Sequence, residues 1–165
     1  MPEKIRIATR DDVPQMITLR GELLKSIRKA PLTPEDLEAI RNFYENVWDG
    51  ENPVYFVATK PSKNDELVGQ AALALFNGVP SAKNPSGKGA YVFDVSVTRE
   101  QQRRGLGKAI FTALLKYCRE NSIGFITLDA TEAGEPLYRS FGFAEPELRS
   151  MEIWWPTLES LELDE

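Results

Sequence analysis

Val92-Phe93-Asp94-Val95-Ser96-Val97, four further residues, and then Gln102-Arg103-Arg104-Gly105-Leu106-Gly107-Lys108 form the stretch on which the reading of the chain turns. Behind the glycines, Leu106, Ala109, Ile110, Ala113, Leu114, Tyr117 and Cys118 recur at the spacing of a helix with one buried face. The glycines therefore stand at a helix N-terminus, where the first N–H groups lack intrahelical acceptors and carry the positive end of the helix dipole. Glycine at 105 and 107 lets a bulky anion approach the backbone without meeting a Cβ. Arg103, Arg104 and Lys108 add charge that repels that end of the dipole, and a bound diphosphate compensates both; side chains that are merely solvated are the alternative. Gln102 offers an amide donor to the same group.

Two phosphate loops do not fit. Gly105-Leu106-Gly107-Lys108-Ala109-Ile110 lacks the third glycine of a dinucleotide fingerprint, and no Gly-Lys-Ser/Thr triplet completes a nucleoside-triphosphate loop. What remains is Gln/Arg-x-x-Gly-x-Gly after an apolar strand.

Composition narrows the chemistry around this loop. The 165 residues suffice for one domain with a substantial core, expected to span 1–165 with an acidic tail from about 156 to 165. A net charge of −5 argues against nucleic acid as a partner, because phosphate backbones need a basic face, and it favours a cationic acceptor. The complete absence of histidine removes Ser-His and Cys-His nucleophile pairs and imidazole metal sites, so any base is a carboxylate or water and no metal is expected. Cys118 is the only cysteine, which excludes an internal disulfide, and its position on the apolar helix face points to packing. No basic-then-apolar leader follows Met1, and the longest apolar run, Ala71 to Phe76, is too short to span a membrane, so a cytoplasmic location without membrane contact is expected.

From the loop the elements can be read outward. Ile5 to Ala8 predicts a first strand, Thr9-Arg10-Asp11-Asp12 a cap, and Val13 to about Lys29 a helix. Thr33-Pro34-Glu35-Asp36 is a capping box in its Asp form, opening a second helix that runs to Asp49-Gly50. Phe43, Tyr44 and Trp48 on that helix read as core, with pocket lining as the alternative. Val54–Thr59 and Leu67–Phe76 predict a hairpin around a polar turn from Lys60 to Glu66, and Asn77–Gly89 a loop. Ala90–Val97, the helix and Gly124–Ala130 make a βαβ unit, whose parallel neighbouring strands place the glycine loop at a carboxyl edge. Glu135–Phe143 predicts a short helix, and Phe143–Trp154 a last strand or hairpin. Trp154 and Trp155 are candidates for a homodimer interface or a pocket wall, although core packing accounts for one of them. Alternation in the strand before the loop sets Asp94 on the face of Val92 and Ser96, opposite Phe93, Val95 and Val97.

The loop motif with Phe93-Asp94-Val95-Ser96-Val97 before it resembles the acyl-CoA loop of the GNAT superfamily of N-acetyltransferases. Leu137-Tyr138-Arg139-Ser140-Phe141-Gly142-Phe143 resembles the second signature of that family, Leu-Tyr-x-x-x-Gly-Phe, at the usual separation. The resemblance is sharp from Tyr91 to Phe143 and rests on element order alone before that. It implies an α/β (α+β) fold: a GNAT-like mixed central sheet flanked by helices, with a splayed parallel strand pair at the acyl-CoA cleft. It further implies transfer of an acetyl group from acetyl-CoA directly to a primary amine of a small molecule, amino acid or peptide, with no metal. Gln102, Arg103, Arg104, Gly105, Leu106, Gly107 and Lys108 would hold the pyrophosphate, and the backbone of Val95, Ser96 and Val97 the pantetheine arm. Thr131 stands where many relatives carry an asparagine that contacts the arm, and its hydroxyl is the expected substitute. Tyr138 lies where relatives place a tyrosine near the thioester sulfur, and is the expected general acid; three core contacts of a short helix are the alternative for Leu137, Tyr138 and Phe141. Asp94 is the candidate for binding the amine or passing its proton, with a structural role as the alternative. Tyr91 stands where some relatives carry the acidic base, which leaves the base open, while glycine at 134 in place of a common alanine is expected to be neutral. A non-catalytic acyl-CoA-binding module and an unrelated nucleotide binder are the competing readings.

Overall fold

The computed structural model describes residues 3–61 and 64–163, divided into two compact units that meet in sequence at Asp129 and Ala130. Met1 and Pro2, Ser62 and Lys63 of the expected polar turn, and Asp164 and Glu165 of the expected tail lie outside the described residues.

The first unit is built on a mixed sheet in the order β1-β2-β3-β4-β5, comprising β1 Lys4–Ile7, β2 Val54–Lys60, β3 Glu66–Asn77, β4 Lys88–Val97 and β5 Phe125–Leu128. Neighbours from β1 to β4 run antiparallel, and β4 and β5 run parallel. A parallel pair needs a crossover, which α3, Leu106–Glu120, supplies. The expected mixed sheet with one parallel pair is therefore present, flanked by helices on both faces.

Alternation along β2 separates the faces. Tyr55 and Val57 pack in one cluster with Met16 and Leu19 of α1 (Val13–Arg28), Ile40 of α2 (Pro34–Asn42), and Tyr44. Phe56, between them in sequence, turns to the opposite face, where its ring meets Tyr117 of α3 edge-on at 5.6 Å. On that face α3 buries Leu106, Ile110, Phe111, Leu114 and Cys118, and burial pushes the Cys118 thiol up to about 11. The buried set differs from the expected one: Phe111 is inside and Ala109 is exposed. The apolar residues of this helix span too wide a stripe for spacing alone to fix which of them meet the sheet.

The two N-terminal helices are locked at their starts. The Asp12 carboxylate accepts from the Thr9 amide at 2.8 Å and from both terminal nitrogens of Arg6 at 2.7 and 2.8 Å, which holds the Asp12 carboxyl below its ordinary range. At α2 the capping box forms as expected, with Thr33 Oγ1 accepting from the Asp36 amide at 3.2 Å and Asp36 Oδ2 from the Thr33 amide at 2.9 Å. After Asn42 the chain widens into a π-helical turn, Phe43–Val47. The Arg10 guanidinium closes this turn, donating to the carbonyls of Tyr44 and Trp48 at 2.6 Å and of Glu45 at 2.8 Å, so a cation meets the negative end of the helix. Tyr44 and Trp48 are buried, in keeping with the core reading.

The second unit contains α4, Glu135–Ser140, and α5, Trp155–Glu159. The strand or hairpin expected from Phe143 to Trp154 is absent. Pro146 has no N–H to give a ladder, Arg139 ties down Glu145 at 2.6 Å, and Leu148, Met151, Ile153 and Trp154 stand exposed rather than on a sheet face. The acidic tail is likewise not featureless, since α5 opens it with Pro156 in its first turn. Among the described residues no helix is long and apolar enough to cross a membrane, and no group of three His, Cys, Asp or Glu side chains could hold a metal ion.

Candidate active site

The parallel ladder pairs Gly89 through Val92 with Phe125 through Leu128 and ends there. From Phe93 to Val97, β4 runs on with no partner on its β5 side. This is the opening anticipated between the two strands, and it leaves the backbone that precedes the glycine loop available to an extended ligand.

Within the opening β4 is bulged. On the β3 side Ala72 pairs with Phe93 and Gln70 with Ser96, so the single residue Ala71 faces both Asp94 and Val95. Asp94 takes φ 53°, a left-handed conformation that Asp tolerates better than most residues. The extra residue breaks the alternation expected of this strand. Phe93 meets the Tyr55 ring at 6.2 Å, and Asp94 bonds the hydroxyl of the same tyrosine, so the two consecutive residues share the α1/α2 face instead of opposing one another.

Asp94 is 5% exposed and fully engaged. Oδ2 accepts from the hydroxyls of Tyr44 and Tyr55, each at 2.9 Å, and Oδ1 from Arg20 Nη1 of α1 at 2.5 Å. Desolvation first, and then the negative charge of Asp94, hold both phenols far above their ordinary pKa, so they remain donors throughout the working pH range. A buried carboxylate with three charge-assisted bonds anchors its surroundings.

On the other face the loop is open. Arg103 and Gly105 lie in the left-handed region, φ 60° and 81°, which turns the chain sharply into α3. A Cβ on residue 105 would meet no protein atom within 4 Å, so the space beside this glycine is free for a ligand. Arg103, Arg104 and Lys108 are exposed, and none has an ion-pair partner among the described residues. Gln102 spends one amide proton on the Val97 carbonyl at 3.1 Å, tying the loop back to β4. Leu106 points its side chain into the core, leaving only its backbone for a ligand. Beside the loop the buried Thr98 Oγ1 and Gln101 Oε1 have no hydrogen-bond partner among the described residues.

A carboxylate at this opening that the sequence did not single out is Asp129. It follows the last ladder residue of β5, is exposed, and accepts the Tyr91 hydroxyl at 2.7 Å, while Tyr91 stacks on Phe93 at 5.9 Å. Asp129 and Tyr91 thus meet from neighbouring strands at this opening.

These features carry a clear likeness. A model of the acetyltransferase (GNAT) family matches residues 21–143, most of the chain. The chain belongs to the GNAT acetyltransferase family. Among curated proteins it is similar to the histone acetyltransferase TAP1 and the probable acetyltransferase TAP2 of Glycine max, each 35% identical over 80 residues, or 48% of this chain. The chain spans about a third of the length of these relatives, 35% and 32%. Among solved structures, a predicted acetyltransferase with acetyl-CoA from Clostridium acetobutylicum superposes with a TM-score of 0.78 at 21% identity, covering 95% of this chain and 97% of that one. Glucosamine-6-phosphate N-acetyltransferase from Arabidopsis thaliana superposes with a TM-score of 0.66 at 19% identity, covering 93% and 99%. At these identities the likeness establishes the fold.

For a GNAT protein the loop fits acetyl-CoA. Three uncompensated cations, the cleared space at Gly105, the first amides of α3 and the orphaned polar atoms beside them are what a diphosphate and an amide-bearing arm require. The second GNAT signature lies on α4, described within its own unit. Tyr138 is 8% exposed, packs on Phe143 at 6.2 Å, and has its pKa raised by desolvation. A Cβ on residue 134 would lie 2.9 Å from Tyr138 Cε2 and 3.2 Å from its hydroxyl, so glycine there leaves room for the phenol. Thr131 caps the turn into α4, its carbonyl accepting from Gly134 and Glu135 at 3.0 and 2.9 Å and its hydroxyl from Gly134 at 3.2 Å. Arg20, Tyr55 and Asp129 escaped sequence reasoning, while Tyr44 was expected as core with pocket lining as the alternative. Arg20 lies off the apolar spacing of its helix, Tyr55 sits within an apolar strand, and for Asp129 its place at the end of a short strand was the one available signal.

Proposed function

We propose that the chain is an acetyl-CoA-dependent N-acetyltransferase that transfers the acetyl group directly to a primary amine. The observation that carries this reading is the cationic loop at the start of α3, without ion-pair partners among the described residues and one short turn, Arg99–Gln101, from the part of β4 that has no partner on its β5 side. Acetyl-CoA would supply a thioester carbonyl, at which the N–C bond forms as the C–S bond breaks.

The residues divide that work. Lys108, Arg103, Arg104 and the amides from Gly105 onward bind the diphosphate, and the free side of β4 from Val95 to Val97 aligns the arm. The amide at the bulge, on Val95, polarises the carbonyl. Asp94 acts as a positioning residue: buried and bonded to Tyr44, Tyr55 and Arg20, it fixes the bulge that aims that amide. The proton of the attacking ammonium goes to Asp129, which is exposed and level with Phe93, about 6–7 Å along the strand from Val95 and so within reach through one water. Tyr138 enters on its motif position alone, as a phenol that burial keeps protonated and able to give its proton to the leaving thiolate.

The test is thiol release from acetyl-CoA by the purified chain across a broad panel of amines, together with thermal shifts in acetyl-CoA, ATP and NAD. The expected outcome is a larger shift with acetyl-CoA than with either nucleotide, turnover of at least one amine class, and a fall of about 100-fold in kcat at neutral pH in Asp129→Asn with the acetyl-CoA shift retained. A shift with acetyl-CoA but no thiol release from any amine would favour the non-catalytic binding module.

A further inference from the structure

The helix that covers the bulge delivers one cation to it. Arg20, on α1, is about one-third exposed and uses a single one of its five N–H donors among the described residues, Nη1 on Asp94 Oδ1. Asp94 is itself fixed by two buried phenols, so the guanidinium is held from behind while its remaining edge stays free. Asp94 immediately precedes Val95, so this cation is tied to the residue next to the amide proposed to polarise the thioester.

The surroundings are polar where the sheet needs only packing. Gln70 is fully buried, with both amide atoms unpartnered. It pairs in register with Ser96, whose buried hydroxyl is also unpartnered, and with Val57, a member of the α1/α2 cluster. Gln70 and Ser96 therefore lie on the face of Asp94 and Arg20, directly beyond the bulge. Unpaired polar groups inside a protein are costly, and two of them on the sheet face that carries a pre-oriented guanidinium point to a polar ligand on that face.

We propose that Arg20 is the specificity residue of the acceptor site and that the acceptor is a small amine carrying its own oxyanion, a carboxylate or a phosphate, a few bonds from the nitrogen. A guanidinium edge takes such a group with two parallel N–H···O bonds, which orients the amine toward the bulge. The proposal rests on the N-acetyltransferase reading and deepens it. It sets a polyamine, or a lysine in a basic peptide, among the poor acceptors, since neither brings an anion to Arg20.

The experiment measures steady-state thiol release with acetyl-CoA for free amino acids against their amides, for O-phosphoethanolamine against ethanolamine, and for spermidine. Wild type is compared with Arg20→Gln and Arg20→Lys, and the folded state of each variant is checked by its melting temperature. Wild type should prefer the anionic member of at least one pair by roughly 10- to 100-fold in kcat/KM, and the pair that shows the preference tells carboxylate from phosphate. Arg20→Gln should erase that preference, with KM rising by roughly 10-fold or more for the anionic member of the pair and much less for its uncharged partner; Arg20→Lys should restore part of it. Equal turnover of anionic and uncharged amines by wild type overturns the anchor while leaving the enzyme reading intact, and needs no variant to fold. A uniform loss across all acceptors in a folded Arg20→Gln also overturns it, as a structural role for Arg20. Acetyl-CoA binding with no thiol release from any amine overturns the enzyme reading and the anchor with it.

Discussion

The glycine loop from Gln102 to Lys108 and the cluster around Asp94 both adjoin the open end of β4, yet they handle charge in opposite ways. The loop gathers three cations from neighbouring positions and leaves them exposed and, among the described residues, without ion-pair partners. The cluster gathers Arg20, Tyr44, Tyr55 and Asp94 from distant positions and pairs nearly everything. Unsatisfied, solvent-facing charge suits a ligand that comes and goes, since binding supplies the compensation. Satisfied, buried charge suits a frame whose geometry must not relax. On the proposed reading one side of β4 is a binding surface and the other a brace, with Arg20 as the point where the brace turns outward.

The comparison breaks if disturbing the brace disturbs cofactor binding or disturbing the loop disturbs stability. The largest effect is expected from Asp94→Ala, which leaves two desolvated phenols without an acceptor, unpairs Arg20 and puts alanine at a left-handed φ. It should cost about 3–4 kcal/mol in urea unfolding, with the acetyl-CoA affinity of the folded fraction within about threefold. Next is Gly107→Glu, where a carboxylate enters the cradle. Calorimetric titration should find acetyl-CoA binding weakened by about 100-fold or more, roughly 2.7 kcal/mol, while the unfolding free energy of the unliganded chain moves by less than about 1 kcal/mol. The smallest effects should come from single phenols. Tyr44→Phe and Tyr55→Phe are expected to cost about 1–2 kcal/mol each, and because both donate to Asp94 Oδ2 the double variant should depart from additivity by at least about 0.5 kcal/mol in a double-mutant cycle. Additive losses would mean that the two hydroxyls act separately and that the cluster is not one brace.

Much of the fold was readable before any coordinates. The capping box at Thr33 and Asp36, the first hairpin, and the βαβ unit with its parallel pair follow from signals a few residues long, and each element lies within a few residues of its expected bounds. The expected strand after Phe143 failed because apolar residues at Leu148, Met151 and Ile153 imitate a pattern that Pro146 and the Glu145 to Arg139 pair prevent from forming a ladder. The orientation of Asp94 failed for a sharper reason. A bulge adds one residue without changing composition, and period-two reasoning inverts every face beyond it.

The sequence by itself pointed to the family, the glycine loop at a helix start and the parallel strand pair, because glycine, charge and helix start act on one another over a handful of bonds. Only the tertiary structure decided which side of β4 Asp94 faces and which cation meets it, because its partners lie 74, 50 and 39 positions away along the chain and are joined by packing of α1 and the π-helical turn against the sheet. A ligand loop needs local geometry and open solvent. A buried charge needs partners that only the completed fold can bring.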